Sequence, residues 1–209
     1  MLNGVCRMGN DIKKEVVLIL GLMGSGKSYM SRPFTKDGYK KISFADPLRQ
    51  MCYKILGFEP SDKFTYDEFK KSKLVLKKGL FKTKKVNTGR KVLQQIGSAV
   101  KELFCPTIWA DTWYNSVLEC NTHVINEDCR FDYEVLKALS LTRKKCNVRF
   151  IWSCYNGNDY TNALNDTHES EALAQFIYKN QDKYDLYDGK EIPVKLMKQI
   201  LKDFKDFTK

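Results

Sequence analysis

The chain has 209 residues, 43% of them hydrophobic and 29% charged, and a formal charge of +11. That length fits one globular domain, or one domain with an insert, and an apolar share of this size excludes wholesale disorder and collagen-like structure. The longest strongly apolar run, Val16–Leu22, falls far short of the roughly 20 residues of a membrane helix, and Met1–Lys14 has no apolar core of signal-peptide length, so neither a membrane span nor secretion by that route is expected.

Val16–Leu20 is an unbroken β-branched and aliphatic run, as in a strand buried on both faces of a parallel sheet. Gly21 opens a glycine-rich turn, and Lys27–Phe34 follows as a helix that Pro33 limits or bends. Tyr39–Phe44 is a second strand, and Pro47 suits the first turn of a helix running to about Leu56. Glu59–Thr88 is polar, lysine-dense and interrupted by Gly79, which predicts an arm or lid outside the core. Lys91–Phe104 carries apolar residues at 92, 93, 96, 100, 103 and 104, a helical stripe, and Trp109–Glu119 is a further helix. His123–Asn126 is a short strand, Asp132–Ser140 a helix, Val148–Ser153 a strand and Asn156–Thr167 a polar loop. Glu169–Lys179 is a helix, Tyr184–Tyr187 a short edge strand and Val194–Phe207 a terminal amphipathic helix. Strands alternating with helices predict an α/β fold, a parallel sheet with helices on both faces.

The basic excess is uneven: the stretch Lys63–Lys91 alone carries a net +9. Such a stretch attracts phosphates, of nucleotides or of nucleic acid. Only seven of the 36 basic residues are Arg, which favours a solvated lysine-rich face over a dedicated nucleic-acid surface. The seven cysteines (Cys6, Cys52, Cys105, Cys120, Cys129, Cys146, Cys154) are odd in number and never spaced Cys-x-x-Cys. They point to reduced thiols in a cytosol-like compartment rather than to a zinc site.

The strongest motif is Gly21-Leu-Met-Gly-Ser-Gly-Lys27-Ser28, which meets Gly-x-x-x-x-Gly-Lys-Ser/Thr at every fixed position, between a buried strand and a helix. Gly21 and Gly26 let the backbone approach a triphosphate so that consecutive N–H groups face its oxygens. Lys27 can reach the β- and γ-phosphates, and the Ser28 hydroxyl can ligate Mg²⁺. Gly24, Ser25 and Tyr29 complete the expected ATP-binding set. After the second strand, Phe44-Ala-Asp-Pro-Leu-Arg49 falls at the edge where α/β proteins bind ligands. There Asp46 can cap the next helix, and the Arg49 fork can meet a phosphate. Asp128-Cys-Arg130 follows the strand His123–Asn126: Asp128 is placed to hold Mg²⁺ or its waters, Arg130 to bridge two phosphates, and Glu134 to orient Arg130 by an i,i+4 ion pair. His168 reads as part of a helix-capping segment with Asp166 or Thr167 as cap.

These blocks, together with Arg90-Lys-Val-Leu-Gln-Gln-Ile-Gly-Ser98, Ile108–Trp113 and Asp166-Thr-His-Glu-Ser-Glu171, occur in an order and spacing that resembles the phage and viral deoxynucleoside monophosphate kinases, within the adenylate-kinase-like P-loop kinases. The resemblance implies a three-layer P-loop kinase fold over residues 1–209, with about 59–88 as a mobile substrate-binding arm or lid. It also implies phosphoryl transfer from ATP, with Mg²⁺, to a deoxynucleoside monophosphate, supplying precursors for viral or phage DNA in the host cytosol. By position it gives Lys27 and Ser28 to the donor and metal. Arg90, Asp128, Arg130 and Glu134 go to the acceptor phosphate and the transferring group, and Gln94 and Trp109 to the acceptor pocket. The block that holds His168 lies near the donor or the lid in that family. A homodimer is implied, while no membrane or nucleic-acid partner is. Two positions depart from the family: Ser28-Tyr29 stands where many members carry Asp-Thr, and Trp152-Ser153 where some carry an Arg, for which Arg149 or an arm lysine is a substitute. The competing readings are a phosphomevalonate-type small-molecule kinase, against which Phe44, Trp109 and Trp113 favour a base as acceptor, and a nucleic-acid-binding P-loop ATPase, favoured by the basic arm alone.

Overall fold

The computed structural model describes residues 13–56, 66–77 and 84–208. The chain divides into two compact units, one formed by Met1–Ile42 and Val117–Lys209, the other by Ser43–Ser116.

The first unit is built on a five-stranded sheet of order β2-β5-β1-β6-β7, with β1 Glu15–Leu20, β2 Lys40–Lys41, β5 Val124–Asn126, β6 Asn147–Trp152 and β7 Glu191–Ile192. The first four strands are parallel; β7 runs antiparallel on β6, with Phe150 opposite Ile192. Helices flank the sheet: α1 Lys27–Met30, α2 Arg32–Lys36, α7 Asp132–Ser140, α8 Thr161–Leu164, α9 Glu169–Lys179 and α10 Val194–Phe207. The fold is thus α/β with a mostly parallel sheet. Val16–Ile19 are wholly buried, as an unbroken aliphatic strand between two helical layers must be. On one face Val17, Ile19, Ile125 and Ile151 pack against Met30 and Phe34 of the helices that follow the glycine turn. Burying each such side chain contributes about 1.5–3 kcal/mol, so it is β1 and its neighbours that fix where the Gly21–Ser28 loop sits.

The helix after the loop is interrupted at Ser31 and resumes as α2, in keeping with the limit expected from Pro33, which has no N–H to offer the carbonyl one turn back. Two other expectations for this unit need correction. The second strand is only Lys40–Lys41, although Ile42 N–H still donates to Ile125 O at 3.1 Å. The edge strand is not Tyr184–Tyr187. Tyr184 closes a 3₁₀ turn, Asp185 has φ 52°, and Leu186 N–H returns to Gln181 O at 2.9 Å, so this turn buries alternate residues just as a strand would. The sheet edge forms instead at Glu191–Ile192.

The second unit comprises α3 Asp46–Leu56, α4 Tyr66–Lys71, the antiparallel hairpin β3 Lys73–Lys77 with β4 Lys84–Thr88, α5 Gly89–Leu103 and most of α6 Ile108–Glu119. Cys52, Phe69 and Leu93 form its core, with Leu48, Tyr53 and Ile96 against them. The arm expected over 59–88 therefore contains a helix and a hairpin, while part of that expectation (residues 59–65 and 78–83) lies outside the described residues. The α5 stripe is shorter than its pattern: Val92 and Leu93 are buried, but Leu103 and Phe104 are exposed. Among the described residues no helix is long and apolar enough to cross a membrane. The six described cysteines are free thiols, five of them buried.

Candidate functional site

The loop after β1 is shaped by two glycines for different reasons. A Cβ at Gly21 would stand 2.3 Å from Ser153 O and 2.5 Å from Ser25 Oγ, so only glycine lets the chain pass the end of β6. Gly26 has φ 90°, a left-handed conformation strained for any L side chain. The loop is then tied from outside. Ser153 Oγ donates to Ser25 O at 2.7 Å and Asn158 Nδ2 donates to Gly24 O at 2.7 Å. Lys27 Nζ donates to Gly21 O at 2.8 Å and to Leu22 O at 2.6 Å. With these carbonyls engaged, the N–H groups of Gly26, Lys27 and Ser28 have no acceptor among the described residues. Clustered open amides beside an ammonium form an anion-receiving concavity. Burial pushes the Lys27 ammonium down to about 8; the charge of Arg130 adds to this, and Glu171, Glu127 and Asp128 oppose it. Four charged groups thus act on the same lysine.

Ser28 Oγ donates to Glu127 Oε1 at 3.0 Å, Ser31 Oγ donates to Glu127 Oε2 at 2.6 Å, and the Lys41 ammonium pairs with the same carboxylate. Burial raises the Glu127 carboxyl, but Lys41 and the Ser31 and Ser28 hydroxyls outweigh it and hold the group below its ordinary value, hence anionic. The acid brought to Ser28 is therefore Glu127, not Asp128. The Asp128 carboxylate instead accepts from Asn126 Nδ2 at 2.9 Å, and its own N–H donates to Asn126 Oδ1 at 3.1 Å. A hydroxyl and an anionic carboxylate are the hard oxygen donors that suit Mg²⁺, which takes few protein ligands and completes its shell with phosphate oxygens and water. Among the described residues no group of three or more His, Cys, Asp or Glu side chains forms a cage for a metal, and a site completed by substrate oxygens does not require one.

Arg130 departs from its expected partner. Glu134 Oε2 accepts the backbone N–H of Arg130 at 2.7 Å and of Phe131 at 3.0 Å, capping α7, while the Arg130 guanidinium pairs with Glu171, a buried residue of α9. Glu134 therefore positions Arg130 through its main chain, and Glu171 holds the fork. Burial pushes the Glu134 carboxyl up to about 8 despite the two N–H donors. Glu171 is thus in this site, whereas Asp166 serves the turn before α9. Asp166 Oδ1 takes the His168 N–H at 2.9 Å, and His168 Nδ1 caps α9 by accepting from Ser170 N–H at 3.2 Å, so histidine itself is the cap.

The remaining selected residues, Arg149 apart, belong to the second unit. Asp46 accepts the Ser43 N–H at 2.7 Å and pairs with Arg49 at 2.7 Å, so each occupies the other. Arg90 and Gln94 are exposed one turn apart on α5. Trp109 Nε1 donates to Gly97 O at 3.3 Å. Phe44 and Trp113 are buried with ring centroids 4.3 Å apart, so they serve the core and cannot favour a base as acceptor. Arg149, a candidate for the missing lid arginine, is bound to Glu15 and Glu191. A groove of about 740 Å³ lies along α7 and α10, lined by Leu136, Leu139, Arg143, Lys198, Leu201 and Lys202 among others, and includes none of the selected residues.

No protein-family model matches the chain, and no curated protein matches it.

Proposed function

We propose that the chain transfers the γ-phosphoryl group of ATP to a deoxynucleoside monophosphate. The observation that carries the reading is the Ser28–Glu127 pair standing beside the open amides of Gly26, Lys27 and Ser28. In this reading the amides and Lys27 hold the β- and γ-phosphates, and Ser28 with Glu127 hold Mg²⁺, which neutralises charge on the β- and γ-oxygens. An oxygen of the acceptor 5′-phosphate attacks the γ-phosphorus, the bond from that phosphorus to the β–γ bridging oxygen breaks, and ADP leaves. Arg130, fixed by Glu171 and Glu134, faces the charge that builds during transfer. Asp46, Arg49, Arg90, Gln94 and Trp109 keep an acceptor-binding role on the resemblance alone, and the basic segment 59–88 its lid role. A coupled ADP-release screen with ATP, Mg²⁺ and each nucleoside or deoxynucleoside monophosphate tests the assignment. Release stimulated by one or more deoxynucleotides is expected; release indifferent to every acceptor would contradict it.

Two further results are expected. Glu127→Gln raises the Mg²⁺ concentration needed for half-maximal rate by about 10- to 100-fold, the usual cost of a removed ligand or its supporting group, while ATP affinity without metal changes less than about threefold. A Mg²⁺ titration of the rate, with calorimetry in chelator, checks both. The second concerns pH. The Lys27 value of about 8 lies below that of a free lysine, and a bound triphosphate favours the ammonium. Affinity is therefore full below pH 8 and falls as pH rises through it, by about tenfold between pH 7 and 9. Calorimetric titrations across that range should show the loss, and Lys27→Met should lack it.

A further inference from the structure

The segment following β6 carries a large aromatic side chain with no role in the account so far. Tyr155 is 58% exposed, although it lies between the two residues that tie down the glycine loop, Ser153 and Asn158. Its backbone is fixed: Tyr155 O accepts from the hydroxyl of buried Tyr160 at 2.9 Å and from Asn158 N–H at 3.2 Å. Its ring lies close against the chain: a Cβ on Gly157 would stand 2.6 Å from Tyr155 Cε1, and more than half of the residue remains open to solvent. An exposed ring held in this way loses little freedom on binding, which is the property of a preorganised stacking surface.

Several neighbouring polar side chains are engaged elsewhere. Ser153 Oγ and Asn158 Nδ2 hold loop carbonyls, Asp159 Oδ1 takes the N–H and hydroxyl of Thr161, and Asp188 Oδ1 takes the Cys154 N–H. We propose that Tyr155 is the platform on which the base of the bound nucleoside triphosphate stacks, and that the donor base is held by its face and not read along its edge. The inference rests on the reading of Gly21–Ser28 as a triphosphate-binding loop. Stacking tolerates any base because each has a π-face, so purine donors bind alike and somewhat more tightly than the smaller pyrimidines.

The test measures binding of ATP, GTP, CTP and inorganic tripolyphosphate to the wild-type protein, Tyr155→Ala and Tyr155→Phe by calorimetry. Wild-type affinities for ATP and GTP should agree within about threefold, with CTP weaker. Tyr155→Ala should weaken ATP and GTP by about 5- to 100-fold, the span of single base–aromatic stacks, with tripolyphosphate unchanged and Tyr155→Phe like wild type. Unchanged ATP affinity in Tyr155→Ala would overturn the platform, and equal losses for ATP and tripolyphosphate would show that the ring supports the loop rather than the base. A strong preference for ATP over GTP would overturn recognition by face alone. Failure of the wild-type protein to bind tripolyphosphate and ATP alike would sink the loop reading itself, and the platform with it.

Discussion

Lys27→Ala is expected to lower kcat by about 10³-fold, the scale of removing one positioned donor from a developing anion, while the melting temperature stays within a few degrees of wild type. The ammonium closes the loop on Gly21 O and Leu22 O in the free protein. Those carbonyls belong to a turn already tied through Ser153 and Asn158, so the fold survives the truncation. The catalytic loss has no such reserve, because in the proposed reaction the Lys27 ammonium would meet the charge of the migrating phosphoryl group. Steady-state rates and a thermal melt on the same preparation check the pair of outcomes. A folded variant retaining more than about a tenth of wild-type kcat, a barrier change below roughly 1.4 kcal/mol, would remove Lys27 from the chemistry.

Arg130→Lys is expected to lower kcat by about 10²-fold with ATP affinity changed only a few-fold. The substitution keeps a positive charge opposite Glu171, which is buried and would be left uncompensated by a neutral residue. What it loses is the planar fork, which can address two phosphates at once where an ammonium is a single point of charge. The Arg130 charge helps to push the Lys27 ammonium down, so the two groups feel one another's charge. A merely structural Arg130–Glu171 pair gives the opposite pattern: the melting temperature drops and kcat is unchanged. Kinetics and an ATP titration on the purified variant separate the two.

Much of the scaffold of this site could be read in the sequence. Val16–Leu20 was legible because an unbroken aliphatic run satisfies only a strand covered on both faces, and Val194–Phe207 because Met197, Ile200 and Leu201 fall on one helical face. The glycine loop was legible through its fixed positions, since Gly21 and Gly26 meet geometric demands that no other residue meets without strain. What holds the loop was not legible. Ser153 is the last residue of an expected strand, and Asn158 is an ordinary polar residue in a segment whose composition suggested only a loop. Glu127 and Asp128 are adjacent acids after a strand, and nothing local decides which carboxylate turns toward Ser28, 99 residues away in sequence. The i,i+4 spacing favoured Glu134 as the partner of Arg130, but its carboxylate answers the stronger local demand of two free N–H groups at the start of α7, leaving the guanidinium to Glu171, 41 residues on. Phe44 and Trp113 misled for a simpler reason: aromatic type does not distinguish a ring that will stack on a ligand from one that fills a core.

The central claim is that a phosphoryl group moves from ATP to a nucleotide acceptor, and following the γ-phosphorus itself tests it most directly. With γ-labelled ATP, Mg²⁺ and a mixture of the deoxynucleoside monophosphates, label is expected in a deoxynucleoside diphosphate with wild-type protein and to be absent from that product with Lys27→Ala. Label recovered only as inorganic phosphate, or remaining entirely in ATP, would contradict the account.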